Sequence, residues 1–270
     1  MTYSDLLPQI IEIARTAGNE IMKIYTDESS DFGIEAKKDN SPLTKADKAA
    51  NDLICQGLEA LPIVYPIISE ENKEVPYEVR RHYDMFWLVD PLDGTKEFIK
   101  RNGEFTVNIA LVQGQSPVMG VVYAPALDEC YFASKGGGAF VEKEGQQTPL
   151  QAGQFALDQK SLRVICSRSH LNDATQAFVD RLTEPELVSK GSSLKFLLLA
   201  GQQAELYPRL APTMEWDTGA AQIVLEEAGG QVLNAEDHRP LRYNKPNLLN
   251  PYFIACGQMA SQVEELFAYA

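Results

Sequence analysis

The sequence predicts an α+β protein in which helices and sheets are stacked in layers. Two segments near the start of the chain, residues 4–25 and 43–61, carry apolar side chains at helical spacing. Residues 66–142 are rich in short strands and hairpin turns, and strands alternate with helices after about residue 157. Helices followed by hairpins and then by an alternating part are typical of a layered fold with two sheets.

The two leading helices are indicated by periodic apolar residues and by the residues at their ends. In the first helix we expect Ser4 or Asp5 as the N-cap and Pro8 in the first turn, where proline is tolerated. Pro62 follows the second helix and ends it, because proline cannot continue the hydrogen-bond pattern of a helix. The polar residues 26–40 between the two helices are expected to form a loop.

The strands of the middle part are bounded by acidic residues and by glycine turns. We expect one strand to stop at Ser69-Glu70-Glu71 and a buried apolar strand to stop abruptly at Asp90. Gly136-Gly137-Gly138 joins two strands and opens no helix, so we interpret it as a hairpin turn rather than a phosphate cradle. The strands are predicted over residues 66–68, 85–89, 106–112, 118–123, 129–134 and 139–142.

The last part of the chain alternates between strands and helices. Strands are predicted over residues 162–166, 231–233 and 252–256, and helices over residues 173–182, 194–200, 218–228 and 261–268. Since no low-complexity linker interrupts the sequence, we expect residues 1–270 to form a single catalytic unit. An approximate division separates residues 1–156, a helix pair plus a hairpin-rich sheet, from residues 157–270, the alternating α/β part.

The composition excludes several classes of protein. The 270 residues contain 44% hydrophobic residues, which can fill a core, so global disorder is excluded. With 24 basic and 38 acidic residues the net charge is −14, which argues against a nucleic-acid polymer or an anionic membrane as a partner. Four cysteines without a CxxC pair favour reduced thiols and a cytoplasmic location. No export signal and no transmembrane segment are expected.

The segment Asp90-Pro91-Leu92-Asp93-Gly94-Thr95 carries the most specific chemical signal. Its two carboxylates, three residues apart after a buried strand, can hold one hard cation from two sides. We expect Thr95 to cap the next helix, with the N–H groups of Gly94 and Thr95 facing an anion. Taken alone, the segment is more often ordinary Asp-Pro and Asp-Gly turn chemistry.

Further acidic residues stand at the ends of other elements. Glu70 and Glu71 end the preceding strand, Asp47 lies on the second helix, and Asp217 stands at a helix start. Any one of them is more often a solvated charge or an N-cap. Together they indicate a site for a hard cation with oxygen ligands, because no cysteine or histidine stands near them in sequence to favour zinc.

With these residues in this order, the sequence resembles the inositol monophosphatase superfamily of magnesium-dependent, lithium-sensitive phosphatases. The resemblance extends from Asp47 to Gly230 and implies a five-layer αβαβα sandwich. The motifs that carry it are Ser69-Glu70-Glu71, Asp90-Pro91-Leu92-Asp93-Gly94-Thr95, Trp216-Asp217-Thr218-Gly219-Ala220 and Gly229-Gly230.

The resemblance also implies which residues act. Glu70, Asp90 and the Leu92 carbonyl would hold a first Mg²⁺, and Asp90, Asp93 and Asp217 a second. A third, weaker ion would bind near Glu70, and Li⁺ would inhibit. The catalytic residues implied are Asp47, Thr95 and Glu70, with Thr95 hydrogen-bonded to Asp47 and orienting the attacking water.

Within the superfamily, the sequence is most similar to the 3'(2'),5'-bisphosphate nucleotidases, which release the 3'-phosphate of adenosine 3',5'-bisphosphate. The residues that carry this narrower resemblance are Lys96-Glu97-Phe98, Ser167-Arg168-Ser169-His170, Gly191-Ser192-Ser193-Leu194-Lys195, Tyr207-Pro208-Arg209 and Pro212-Thr213. It implies substrate contacts from Gly94, Thr95, Ser167, His170, Gly191, Ser192, Lys195 and Asp217. Without the resemblance, Lys195 is more simply a solvated charge and His170 a loop cap.

Two alternatives to this nucleotidase function stay open. One is an inositol-1-phosphatase or a broad sugar-phosphate phosphatase of the same superfamily. The other is an inactive sensor that binds metal and nucleotide. The expected partner is a small phosphorylated nucleotide, and the expected assembly is a monomer or a homodimer. Peripheral association with the cytoplasmic face of the inner membrane is considered because some relatives are thought to associate there.

Overall fold

The computed structural model describes residues 3–27, 32–36, 42–166, 171–260 and 264–267. The helices are α1 Tyr3–Thr26, α2 Lys45–Glu59, α3 Tyr77–Arg80, α4 Thr95–Ile99, α5 Asp173–Val179, α6 Leu194–Ala200, α7 Gly219–Glu227 and α8 Glu264–Phe267. Helical geometry already begins at Tyr3, so the expectation that Ser4 or Asp5 caps α1 is wrong. Among the described residues, none of the helices has the length and apolar character needed to cross a membrane.

A seven-stranded sheet forms the larger of the two main sheets. Its strands run in the order β3-β4-β5-β6-β7-β8-β9, and every neighbouring pair is antiparallel except the parallel pair β3 and β4. Their bounds are β3 Ile67–Ser69, β4 Met85–Asp93, β5 Thr106–Gln113, β6 Ser116–Ala124, β7 Glu129–Ser134, β8 Gly138–Lys143 and β9 Gln146–Pro149. A separate short pair, β1 Glu35–Ala36 and β2 Pro42–Leu43, lies within and beside the segment expected to be a loop.

A five-stranded sheet is built from the second part of the chain. Its order is β12-β11-β13-β15-β14, and β10 pairs separately with β16. The bounds are β10 Gln154–Phe155, β11 Arg163–Cys166, β12 Glu186–Ser189, β13 Leu206–Arg209, β14 Gln231–Asn234, β15 Phe253–Cys256 and β16 Gln258–Met259. A 3-10 turn, Glu215–Asp217, precedes α7.

Within the described ranges, three hydrophobic cores lie between the layers. In β4, Trp87 points into a core with α1 and α2, whereas its neighbour Leu88 points into a core with α6 and α7, because side chains alternate along a strand. Phe253 of β15, in the five-stranded sheet, packs into the same core as Leu88. On the outer face of that sheet, Val164 packs in a third core with Phe178 of α5. The order helix, sheet, helix, sheet, helix confirms the predicted αβαβα sandwich.

The glycine turn between β7 and β8 is a hairpin, as expected. The backbone N–H groups of Gly136 and Gly138 donate hydrogen bonds of 2.8 and 2.9 Å to the carboxylate of Glu227 at the end of α7. A protein carboxylate therefore takes the donors that a phosphate would need. Among the described residues, seven strands were not predicted from the sequence: β1, β2, β9, β10, β12, β13 and β16.

Candidate active site

Strand β4 does not stop at Asp90 but continues to Asp93, which corrects the prediction. Asp90 pairs opposite Asn108 and Asp93 opposite Thr106, and the register between these pairs is interrupted by a bulge. A bulge places two residues against one on the partner strand and redirects the side chains around it. Asp90 is only 1% exposed, and its Oδ1 accepts a hydrogen bond of 3.0 Å from the Leu92 N–H. Both aspartates consequently line the same cleft.

Gly94 makes the turn from β4 into α4. Its φ of +94° lies in the left-handed region that favours glycine. A Cβ at this position would stand 2.9 Å from the Glu104 carbonyl oxygen and 3.2 Å from the Ser192 Cβ. Gly94 is the N-cap and Thr95 the first helical residue, so the prediction that Thr95 caps α4 is wrong.

Asp47 connects the start of α2 to Thr95. Its Oδ2 accepts hydrogen bonds from the backbone N–H of Thr44 at 2.7 Å and from the Thr44 hydroxyl at 2.5 Å. Its Oδ1 accepts a hydrogen bond of 3.2 Å from the Thr95 hydroxyl, as the resemblance implies. Thr44 and Asp47 form the capping box of α2, which explains how a buried carboxylate is fixed toward α4.

Several carboxylates converge on Asp90. A cleft of about 440 Å³ is lined by Glu70, Asp90, Asp93, Thr95 and Asp217, among others. Burial, followed by repulsion from Glu70, Asp93, Asp217 and Asp47, raises the pKa of Asp90 well above its ordinary value. The pKa of Asp217 is also well raised, first by burial and then by the charge of Asp93. Asp217 keeps some exposure to the cleft, although it lies deep among protein atoms.

The oxygen atoms of these residues fit a hard cation. Asp93 Oδ2 accepts hydrogen bonds from Ser193, and Asp217 Oδ2 accepts one of 2.9 Å from the Met214 N–H. Carboxylates and the Leu92 carbonyl are the donors that Mg²⁺ prefers. Among the described residues, however, no three Asp, Glu, His or Cys side chains are grouped closely enough to hold one metal ion. Three carboxylates around a second ion would therefore have to draw together.

A cationic edge, formed by Lys195 and Arg209, adjoins the acidic cleft at Pro212, whose carbonyl accepts a hydrogen bond of 3.0 Å from Arg209. Lys195 Nζ stands 5.9 Å from the centre of the Tyr207 ring and donates to the Ser192 carbonyl at 3.1 Å. Arg209 lies two residues beyond Tyr207 on β13, so the two side chains share one face of the strand. The charge of Arg209 reaches Asp217, whose pKa it lowers in part. In the described part of the chain, the buried Arg209 Nε has no hydrogen-bond partner.

The remaining predicted substrate residues are placed in two ways. Gly191 and Ser192 pack against the residues around Gly94, since a Cβ on Gly191 would lie 2.8 Å from the Glu97 Cγ. They stand just outside the lining of the cleft. Ser167 and His170 lie outside the described residues. Three further residues near the site, Arg209, Asn108 and Ser193, have no role predicted from the sequence. Arg209 and Ser193 stand in motifs that carry the resemblance, whereas Asn108 does not.

The fold agrees with comparisons to known proteins. The sequence pattern of the inositol monophosphatase family matches residues 3–267. The chain is similar to the 3'(2'),5'-bisphosphate nucleotidase CysQ of Salmonella typhimurium, with 45% identity over 92% of this chain and 98% of that one. It is also similar to CysQ of Haemophilus influenzae, with 33% identity over 98% of this chain and 97% of that one.

Two solved structures share the architecture. CysQ from Bacteroides thetaiotaomicron, described as a bacterial member of the inositol monophosphatase family, has a TM-score of 0.83 at 44% identity and covers 95% of this chain and 98% of its own. An inositol monophosphatase from Anabaena has a TM-score of 0.76 at 24% identity, covers 98% of this chain and 95% of its own, and supports the fold alone. This chain belongs to the inositol monophosphatase family.

Proposed function

We propose that the chain is a magnesium-dependent phosphoric monoester hydrolase that removes the 3'-phosphate of adenosine 3',5'-bisphosphate, giving AMP and phosphate. The observation that carries this proposal is a cleft lined by carboxylates together with Arg209, whose charge reaches Asp217, and Lys195, which lies on the ring of Tyr207, two residues before Arg209. The cleft suits the phosphate that is cleaved, and the two cations suit a second phosphate on the same substrate. The printed names of the CysQ relatives point to the same class of substrate.

The carboxylates provide places for two or three magnesium ions. Glu70, Asp90 and the Leu92 carbonyl would hold the first ion, and Asp90, Asp93 and Asp217 the second. A cation between these residues would offset the repulsion that raises the pKa of Asp90. When bound, such ions neutralise charge on the phosphate and lower the pKa of a coordinated water.

Thr95 and Asp47 are suited to orient the attacking water. The Thr95 hydroxyl donates its only proton, with Asp47 Oδ1 at 3.2 Å and the Leu92 carbonyl at 3.3 Å as acceptors. Its oxygen can therefore accept a hydrogen bond from a water in the cleft. A proton taken from that water can pass to Asp47, whose position is fixed by the capping box of α2.

The substrate's other end would lie along the cationic edge. Lys195 and Arg209 would meet the 5'-phosphate, and the turn at Gly191 and Ser192 would contact the ribose. The N–H groups at Gly94 and Thr95 would face the 3'-phosphate. Contacts from Ser167 and His170 to the sugar or base stay predictions.

A panel of substrates tests the proposal. With Mg²⁺ present, we expect kcat/KM for adenosine 3',5'-bisphosphate to exceed that for inositol 1-phosphate by at least about tenfold, and Li⁺ to inhibit. Equal or faster turnover of inositol 1-phosphate would favour the inositol-phosphatase alternative. Nucleotide binding without turnover at any Mg²⁺ concentration would favour the sensor.

The role of the second phosphate can be tested with a matched pair of substrates. Arg209→Ala should raise KM for adenosine 3',5'-bisphosphate about tenfold or more, because a charge-assisted bond to phosphate is lost. KM for adenosine 3'-phosphate, which has no 5'-phosphate, should change little. The control is Arg239→Ala, which removes an exposed arginine. A similar KM change for both substrates would contradict the assignment.

We further propose that residues 1–270 act as one catalytic unit in the cytoplasm. Glu70 and Asp90 come from the first part of the chain and Asp217 from the second, yet all three line one cleft. The four cysteines are free, which suits a reducing compartment. A monomeric or dimeric state and association with a membrane surface stay predictions, to be tested by light scattering and by vesicle flotation.

A further inference from the structure

The turn Gly191-Ser192-Ser193 is held at each of its residues, by the loop before β5 and by strands β4 and β5 of the seven-stranded sheet. The N–H of Gly191 donates to the Glu104 carboxylate at 2.9 Å. The Ser192 and Thr106 hydroxyl oxygens are 2.7 Å apart. Ser192 has a φ of +54°, an unusual backbone conformation for a serine. The contacts therefore fix a turn that would not adopt this shape by preference.

Ser193 makes the third connection, and its partner is Asp93. Asp93 Oδ2 accepts one hydrogen bond of 2.6 Å from the Ser193 N–H and another of 2.7 Å from the Ser193 hydroxyl. Both bonds reach the same carboxylate oxygen. Within the described residues, Asp93 Oδ1 has no hydrogen-bond partner, although Asp93 lines the cleft. The two bonds from Ser193 thus fix the rotation of the carboxylate.

Asn108 determines the direction of the Ser193 hydroxyl. Its Nδ2 donates to Ser193 Oγ at 2.9 Å, while its Oδ1 accepts a hydrogen bond of 3.2 Å from the Thr106 hydroxyl. Because Ser193 Oγ accepts from Asn108, its own proton must point elsewhere. The available acceptors are Asp93 Oδ2 at 2.7 Å and the Asp217 carbonyl at 2.9 Å. The carboxylate is the stronger acceptor of the two.

The strand register explains why these residues meet. Asn108 and Thr106 are two residues apart on β5, and they stand opposite Asp90 and Asp93 on β4. Thr106, Asn108 and Ser193 are each no more than 1% exposed. A buried chain of polar groups is rigid when every member is paired, and it then restricts the group at its end. Here the group at the end is Asp93.

We infer that Ser193, oriented by Asn108, is a positioning residue that holds Asp93 Oδ2 and thereby turns Asp93 Oδ1 toward the cation site of the cleft. The inference rests on the proposed function, in which Asp93 is a metal ligand. Residues that orient a metal ligand affect metal affinity although they do not touch the ion. The chain also connects the turn at residues 191–193, where the substrate's ribose would lie, to a ligand of the metal.

The test measures Mg²⁺ binding by calorimetry in the absence of substrate. We expect Ser193→Ala and Asn108→Leu each to weaken Mg²⁺ binding by about tenfold or more. In the double variant the loss should be about the same as in Ser193→Ala alone, because both residues act through one chain. The matched control is Ser134→Ala, which removes a buried serine hydroxyl at the distant β7–β8 hairpin and should leave Mg²⁺ binding unchanged.

Each outcome separates the inference from the proposed function. Thermal unfolding first shows that the variants are folded, and Asn108→Leu keeps the test open if Ser193→Ala does not fold. Wild-type Mg²⁺ affinity in folded variants would overturn the inference and leave the proposed function intact. Losses that add in the double variant would also overturn it, since they would exclude a shared chain. A wild-type protein that binds no Mg²⁺ would instead refute the proposed function.

Discussion

Replacing Asp90 by asparagine should make the metal-free protein more stable while abolishing its activity. Asp90 is 1% exposed and is repelled by four neighbouring carboxylates. An asparagine has nearly the same shape, and its Oδ1 can still accept the hydrogen bond from the Leu92 N–H. The substitution therefore removes a repelled charge without opening a cavity, keeps the Leu92 N–H paired, and places its new amide donors among carboxylates that can accept from them.

The size of the effect follows from electrostatics. Two unit charges about 6 Å apart repel by about 3 kcal/mol at an effective dielectric constant of about 20. Because the pKa of Asp90 is raised, the residue is protonated part of the time and escapes some of this repulsion. We expect Asp90→Asn to add about 1–2 kcal/mol to the free energy of unfolding without Mg²⁺, a rise in Tm of about 3–6 °C.

With Mg²⁺ present, the wild type should be more stable than Asp90→Asn. Ion binding at 100 times Kd adds about 2.7 kcal/mol to the wild type, and the variant loses most of this gain because a shared ligand is missing. We expect kcat to fall by at least about 10³-fold, which corresponds to about 4 kcal/mol. Thermal unfolding with and without Mg²⁺, together with phosphate release, measures both effects. Asp237→Asn, at an exposed aspartate, is the control. A variant that is less stable than wild type without Mg²⁺ would refute the reasoning.

Four further predictions concern other residues and conditions. Gly94→Ala should lower the free energy of unfolding in urea by about 1–3 kcal/mol and lower kcat/KM, because φ is +94° and the new Cβ would lie 2.9 Å from the Glu104 carbonyl oxygen. An unchanged free energy of unfolding would show that the turn relaxes freely. Thr95→Val should lower kcat by about 10²-fold or more with little change in Mg²⁺ affinity, as kinetics and calorimetry would measure. Lys245→Met should cost about 3–5 kcal/mol, since it leaves the fully buried Glu215 carboxylate without its cation, and adding Glu215→Gln should recover part of this loss in thermal unfolding. The folded metal-free protein binds more protons at Asp90 and Asp217 than the unfolded chain does, because the pKa of both groups is raised; the stability that they contribute is therefore present at low pH and is lost as pH rises above the ordinary carboxyl range. The gain in Tm on adding Mg²⁺ should consequently grow from about pH 5 to pH 8. A gain in Tm that shrinks over this range would contradict the assignment.

Strong local patterns were enough to predict most of the fold. The two leading helices, the two hairpins and α6 lie within a few residues of their predicted bounds, because their apolar spacing agrees with their environment. Strand β12 was missed because Glu186–Ser189 lies at an exposed edge and carries little apolar signal. Strand β13 was missed because Pro208 argues against a strand. The strand is nevertheless paired on both sides, with β11 at Leu206 and with β15, where Pro208 stands opposite Ile254.

The site was predicted as a set of residues but not as a geometry. The acidic motifs identified Asp90, Asp93 and Asp217, since each stands in a short recognisable segment. The bulge between Asp90 and Asp93 depends on pairing with Asn108 and Thr106 of β5, which no local pattern reveals. The bond between Ser193 and Asp93 joins residues 100 positions apart. Such contacts are products of tertiary packing, so a single sequence does not contain a signal for them.

The double use of Asp47 links local unfolding to catalysis. One oxygen of its carboxylate closes the first turn of α2, and the other accepts the Thr95 hydroxyl. If that turn opens, Thr95 loses its carboxylate acceptor in the same event and keeps only the Leu92 carbonyl, so we expect the opened molecules to be inactive as well. The Ala46 N–H, which donates to the Thr44 hydroxyl, becomes exposed at that moment. The rate of hydrogen exchange at this single amide would thus report the fraction of molecules in which the active site is not assembled, with no substrate present.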